Sequence, residues 1–239
     1  MSDITVILNG YNRGYLLKQQ IDSIKSQTVK SDDIMLWYNK GDNEQIKIDD
    51  PDIKCVYSNH NFKFHGRFAY ALLSKTKYIA MFDDDIIPGS KWFEHCLEYM
   101  DKLDGILGAT GVYLQSNNYE NNTKYGYNGI KNYEVVEVDL VGHAWFFKRE
   151  WLKYMWMEYP ISWENGEDMQ FSCFCKKYGG IKTYVPPLVR DSEKIGSKNI
   201  RYGGDEFASW RKSSHSELRN NIVKKLIDDG WKTVKMTKY

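Results

Sequence analysis

The chain has only four cysteines in 239 residues (Cys55, Cys96, Cys173, Cys175), with no CxxC pair and no zinc spacing. That argues against a disulfide scaffold and a zinc finger, and leads us to expect a reduced, cytoplasmic protein. The opening MSDITVILNGYNRG has no basic leader before its apolar stretch and no small-residue cleavage site after it. No run approaches the roughly 18 apolar residues of a spanning helix, so no transmembrane segment is expected. Charge of one sign is missing too: the net charge is +1, with 27% charged residues, which offers nucleic acid no general attraction. An anionic partner must therefore be met locally. The glycine-rich phosphate loops are also absent. After the first apolar run stands NGYNRG, in place of GxGxxG or GxxxxGK[ST]. This excludes the usual dinucleotide dehydrogenases and P-loop kinases. It also argues against nucleotidyl transfer, whose glycine-rich, lysine-bearing loop is missing.

What is present is an alternation of strand and helix patterns. ITVIL (4–8), DIMLWY (33–38), IKCVYS (53–58) and YIAMFD (78–83) are β-rich runs. Between and after them, residues 14–27, 66–75 and 90–103 carry apolar positions at helical spacing. The order predicts an α/β fold with a mostly parallel central sheet and helices on both faces. Residues 106–114 read as a strand, 116–129 as a polar, tyrosine-bearing loop, 133–148 as one or two strands, and 165–180 as a helix that stops at a glycine pair. A core over 1–189 is expected, with halves meeting near residue 105 and a small antiparallel sheet in the second half. Residues 190–239 then form a basic lid and a terminal helix. The lid carries Arg190, Lys194, Lys198, Arg201, Arg211 and Lys212, and such a segment could close over a diphosphate and exclude water.

The stretch that asks for an explanation is FDDDIIPG (82–89), where a buried strand ends in three adjacent carboxylates. Like charges so close repel and desolvate badly. In open α/β sheets ligands sit at the carboxyl ends of strands, so Asp83 and Asp85, two residues apart and on one side, could grip a hard divalent cation. Alternatively, the triplet is an acidic turn capping the helix at 90–103.

Together with ITVILNGYNRGYLLKQQIDSIKSQT, WYNKGDN (37–43), HGRF (65–68), VGHAWFFKREWL (141–152) and ENGEDMQFSCFCKKYGG (164–180), the triplet resembles the motifs of GT-A fold nucleotide-sugar glycosyltransferases. The resemblance is to family 2, with features of the exostosin-like family, and it spans about residues 4–186. It implies a glycosyltransferase that moves a sugar from a nucleotide-diphosphate sugar, UDP by family habit, to a hydroxyl of a glycan or glycoconjugate acceptor, with Mn²⁺ or Mg²⁺. Family 2 members invert and exostosin-like members retain, so the stereochemical course stays open. By the resemblance, Asn9, Gly10, Tyr11 and Arg13 wrap the nucleotide. Asn39 stands where many family 2 members carry a base-binding aspartate. Arg67 neutralises diphosphate charge, Asp83 and Asp84 belong to the donor site, and Asp85, Asp83 and His215 hold the metal. Asp168, with Glu167 next, is the expected acid-base group facing the acceptor; helix capping by first-turn acids is the plainer alternative. His143 reads as a packed histidine, and Trp145 and Trp163 as core or sugar-stacking aromatics. Outside the enzyme class, a sugar-nucleotide or carbohydrate-binding module that has lost turnover remains the alternative.

Overall fold

The computed structural model describes residues 2–187, 192–196 and 204–238. Arg190, Lys198 and Arg201 of the expected lid lie outside the described residues. Four parallel strands form one half of the sheet. The fully buried β1 (Ile4–Gly10) lies between β2 (Asp33–Tyr38) and β4 (Tyr78–Phe82), and β3 (Ile53–Tyr57) pairs outside β2. Such β-branched and aromatic runs, buried on both faces, need helices over each side. The helices here are α1 (Gly14–Lys25), α2 (His65–Ala71) and α3 (Trp92–Leu103). The chain leaves β1 toward β2 on one side and returns to β4 on the other. Adjacent connections thus diverge above the β1–β4 boundary, which is where open sheets bind ligands.

The antiparallel strands continue the same sheet. β8 (Leu140–Lys148) pairs antiparallel with β4 and with β5 (Ile106–Leu114), followed by β9 (Thr183–Val185) and β7 (Val136–Val138). Among the described residues, nine strands form one sheet in the order β3-β2-β1-β4-β8-β5-β9-β7, with β6 (Asn122–Gly126) joined to β5. β6 falls inside the segment expected to be loop: NTKYG shows no apolar alternation, and the strand exists through its pairing with Thr110–Leu114.

A short helix α4 (Leu152–Met155) precedes α5 (Glu167–Gly179), which ends on Gly180 in the left-handed region as the glycine pair predicts. The terminal helix α6 (His215–Asp228) is followed by one turn, α7 (Val234–Thr237). A second apolar cluster ties α6 into the core. Ile222, Val223 and Leu226 pack with Met169, Cys173 and Phe174 of α5 and with Leu114, Leu140 and Trp231. Burying each such side chain contributes about 1.5–3 kcal/mol. Asp139 reinforces the joint by accepting from Leu114 N (2.8 Å) and Val234 N (2.6 Å). The C-terminal helix is therefore a wall of the fold.

Gly166 sets how α5 begins. Its φ is +90°, and a Cβ there would lie 2.6 Å from Ile222 Cδ1. The position needs glycine both for conformation and for the approach of α6. Gly166→Ala is expected to destabilise the fold by about 1–3 kcal/mol, measured by thermal or urea unfolding. An unchanged midpoint would contradict this account of the α5–α6 contact.

Candidate active site

A cavity of about 610 Å³ opens at the carboxyl ends of β1, β2 and β4. β4 ends at Phe82, and Asp83 N donates to His143 O at 3.0 Å. His143 sits at φ +69°, uncommon for a side-chain-bearing residue, beside a register shift between β5 and β8. There a carboxylate oxygen of Asp83, one of Asp85 and a ring nitrogen of His143 all lie within 4.8 Å of one another. Asp85 Oδ1 is buried with no hydrogen-bond partner. Burial lowers the His143 pKa, which keeps the ring neutral and able to ligate. Two carboxylates, one with an orphaned oxygen, and a neutral imidazole suit a divalent cation. His215, expected as the third ligand, lines the same cavity, but its Nδ1 lies 3.4 Å from Asn165 Nδ2 and the described residues do not bring it into this cluster. His143 stands there instead, through a strand irregularity that sequence periodicity does not reveal.

Arg13, just before α1, is buried and fully engaged. Its Nη1 donates to Asp84 Oδ1 at 2.6 Å and lies 3.4 Å from Asp85 Oδ2. Nε and Nη2 form a fork on Asp205 at 2.7 and 2.6 Å. Asp84 is thus turned away from its neighbours toward Arg13, while Gln20 Nε2 of α1 braces the loop by donating to the carbonyls of Asp83 and Ile86, both at 2.7 Å. Asp205 carried no sequence signal; only the fold brings it across 192 positions.

The other nucleotide-side residues divide. Asn9 and Tyr11 line the cavity, and Asn9 Oδ1 is buried without a partner. Gly10 is absent from the lining; a Cβ there would meet the Tyr38 ring at 2.8 Å, so packing dictates this glycine. Asn39 lines the cavity, yet its amide is committed: Oδ1 accepts from Trp37 Nε1 (2.9 Å) and Phe62 N (3.0 Å), and Nδ2 donates to Lys63 O (2.9 Å). It holds the 60–64 segment in place.

Arg67 is fully buried, where a diphosphate contact would require exposure. Nη1 donates to Asp83 Oδ1, Nη2 donates to Glu167 Oε1 at 3.2 Å, and the guanidinium lies 4.7 Å over the Trp145 ring. Trp145 is therefore buried packing under this cation; Trp163 is 55% exposed and rests against His65. On the facing wall, Asp168 Oδ1 accepts from Met169 N at 2.8 Å, and Oδ2 accepts from Arg219 Nη2 at 2.7 Å. Arg219 was not singled out in the sequence, because a buried arginine within a charged terminal helix looks like any solvated one.

Burial is the largest cause that pushes Asp84 up to about 7, Asp85 up to about 6 and Glu167 up to about 8; neighbouring carboxylates add to it, and the arginines oppose it. Raised folded-state values mean that the folded protein binds more protons than the unfolded chain above the ordinary carboxylate range. Stability from these groups is thus full at low pH and is lost as pH rises toward about 8. A cation that prefers ionised carboxylates reverses the trend. In EDTA the unfolding midpoint is expected to fall between about pH 7 and 8, above the range where the buried histidines, shifted down and acting in the opposite sense, change charge, and Mn²⁺ to raise it most at the alkaline end. A metal-free midpoint that climbs with pH would contradict this.

Residues 5–156 match the family model described as Glycosyl transferase family 2. An uncharacterized glycosyltransferase of Haemophilus influenzae is 30% identical over 120 residues, 47% of this chain and 36% of that protein. The chain thus spans little more than a third of that relative. In fold, it superposes on the crystal structure of S. aureus TarS with a TM-score of 0.55 at 13% identity, over 77% of this chain and 36% of that one. For TarS 1–349 the score is 0.54 at 12% identity, over 77% and 60%. No helix among the described residues is long and apolar enough to cross a membrane. With most of its length under the family model, and with an acidic strand tip and a two-acid helix start facing one cavity, the chain belongs to glycosyl transferase family 2.

Proposed function

We propose that the chain transfers a sugar from a nucleotide-diphosphate sugar, with UDP as the nucleotide, to a hydroxyl of a glycan or glycoconjugate acceptor. The observation that carries this is a single cavity lined by Asp83, Asp85 and His143 together with Asp168. Asp83, Asp85 and His143 are the residues that would hold Mn²⁺ or Mg²⁺. When bound, such an ion offsets the negative charge that grows on a departing nucleoside diphosphate.

The remaining work falls to the chain's own side chains. Asn9 and Tyr11, which line the cavity, are the side chains offered to the nucleoside. Arg13 neutralises Asp84, so that the acidic triplet keeps two carboxylates for a cation rather than three in mutual repulsion. Arg67 fixes Asp83 and Glu167 relative to each other. Asp168 accepts the proton of the attacking hydroxyl as its oxygen closes on the anomeric carbon. Glu167, buried and pushed up to about 8, is the poorer candidate for an ionised base. With Asp168 as the base, the resemblance to family 2 implies an inverting course.

Asp85→Ala is expected to abolish the Mn²⁺-dependent part of UDP binding in a thermal-shift titration while the apo protein stays folded. UDP binding that responds to Mn²⁺ as in the unsubstituted protein would remove the cation from this site. Asp168→Asn should leave UDP binding unchanged and lower transfer by ~10²-fold or more; full transfer would place the base elsewhere.

A further inference from the structure

We infer that Arg219 of α6 is the positioning residue for Asp168, setting the carboxylate's direction; this rests on the proposed role of Asp168. The guanidinium is 6% exposed and held from three sides. Nη2 donates to Asp168 Oδ2 at 2.7 Å, Nη1 donates to Asn165 Oδ1 at 2.8 Å, and the planar group lies 4.4 Å over the Tyr119 ring. Asn165 and Asp168 flank the first turn of α5, on either side of Gly166 and Glu167. One rigid fork thus ties the segment entering the helix to the acid at its second position.

The geometry leaves Asp168 little freedom. Oδ1 already accepts from Met169 N, and with Oδ2 on Arg219 both oxygens are fixed while the residue still lines the cavity. The anchor behind the fork is apolar. Ile222, Val223 and Leu226, the turns after Arg219, are buried against Met169 and Phe174 of α5, so the helix that carries the guanidinium cannot shift without breaking core. A surface ion pair would contribute little, but a buried arginine with one nitrogen on Asp168 and another on Asn165 is held in one direction. Lysine could not span both acceptors, because its ammonium is a point charge. Arg219 lies beyond residues 5–156 that match the family model, so the family pattern over that span does not assign it.

The test uses the full chain with Mn²⁺, a UDP-sugar and an acceptor that it turns over. Arg219→Gln is expected to lower kcat by about 10²-fold, the cost typical of a reacting group displaced by an ångström, with the donor KM and Mn²⁺-dependent UDP binding within twofold. Arg219→Lys should recover part of kcat. The double variant Asp168→Asn/Arg219→Gln should be no slower than Asp168→Asn alone, since both changes disable one unit. Losses that multiply in the double variant, or a kcat that falls only in step with the folded fraction, would overturn the inference. Should Arg219→Gln fail to fold, Arg219→Lys decides: wild-type kcat in a folded protein overturns it, and a reduced kcat with unchanged donor KM supports it. If Asp168→Asn itself transfers normally, the base assignment fails instead, so the two failures are distinguishable.

Discussion

The buried guanidinium of Arg67 is the contact on which the arrangement of this site depends. It joins Asp83, at the tip of the central strand, to Glu167, at the first turn of α5, which lies a hundred residues beyond Arg67 in sequence. Taking a single arginine out of water is expensive, and the two carboxylates, the Phe82 carbonyl and the Trp145 ring compensate it. Removing either partner strands a charge in the core. The strand tip and the helix start are thus held as one object, which a site that must place two reacting groups within ångströms of each other requires.

The same device recurs on both flanks. Arg13 serves Asp84, Asp85 and Asp205, and Arg219 serves Asp168; like Arg67, both are buried. Each cation comes from a different element: the turn before α1, the helix α2 and the terminal helix α6. Five carboxylates of the two acidic motifs are met by three buried guanidiniums, which leaves negative charge in excess at Asp83 and Asp85. The orphaned oxygen of Asp85 marks where that excess collects. Asp83, Asp85 and the neutral His143 ring beside them form a group that could hold a metal ion.

Much of this was legible in the sequence, for definite reasons. Apolar runs such as YIAMF and ITVIL, set between helical patterns, read as buried parallel strands, so the parallel half and the acidic tip of β4 followed directly. Gly180 announced the end of α5. What stayed hidden depends on contacts between distant elements. NTKYG becomes β6 only because β5 has an open edge beside it. His143 faces the acids because of a bulge and a left-handed backbone, which no spacing rule encodes. Arg67 looked like a donor-binding residue, but whether an arginine reaches solvent or a buried carboxylate is decided by what packs over it. Asn39 likewise carries its amide into loop bonding.

The family model stops at residue 156, before α5, so the role given to Asp168 rests on the cavity geometry and on the resemblance of the ENGED segment. The central claim, a divalent ion at the end of β4 holding a pyrophosphate, can be addressed directly. A crystal grown with Mn²⁺ and UDP, measured at the manganese absorption edge, should show an anomalous peak about 2.1 Å from carboxylate oxygens of Asp83 or Asp85 and in contact with the diphosphate. A diphosphate bound in the cavity with no anomalous peak at those carboxylates would contradict it.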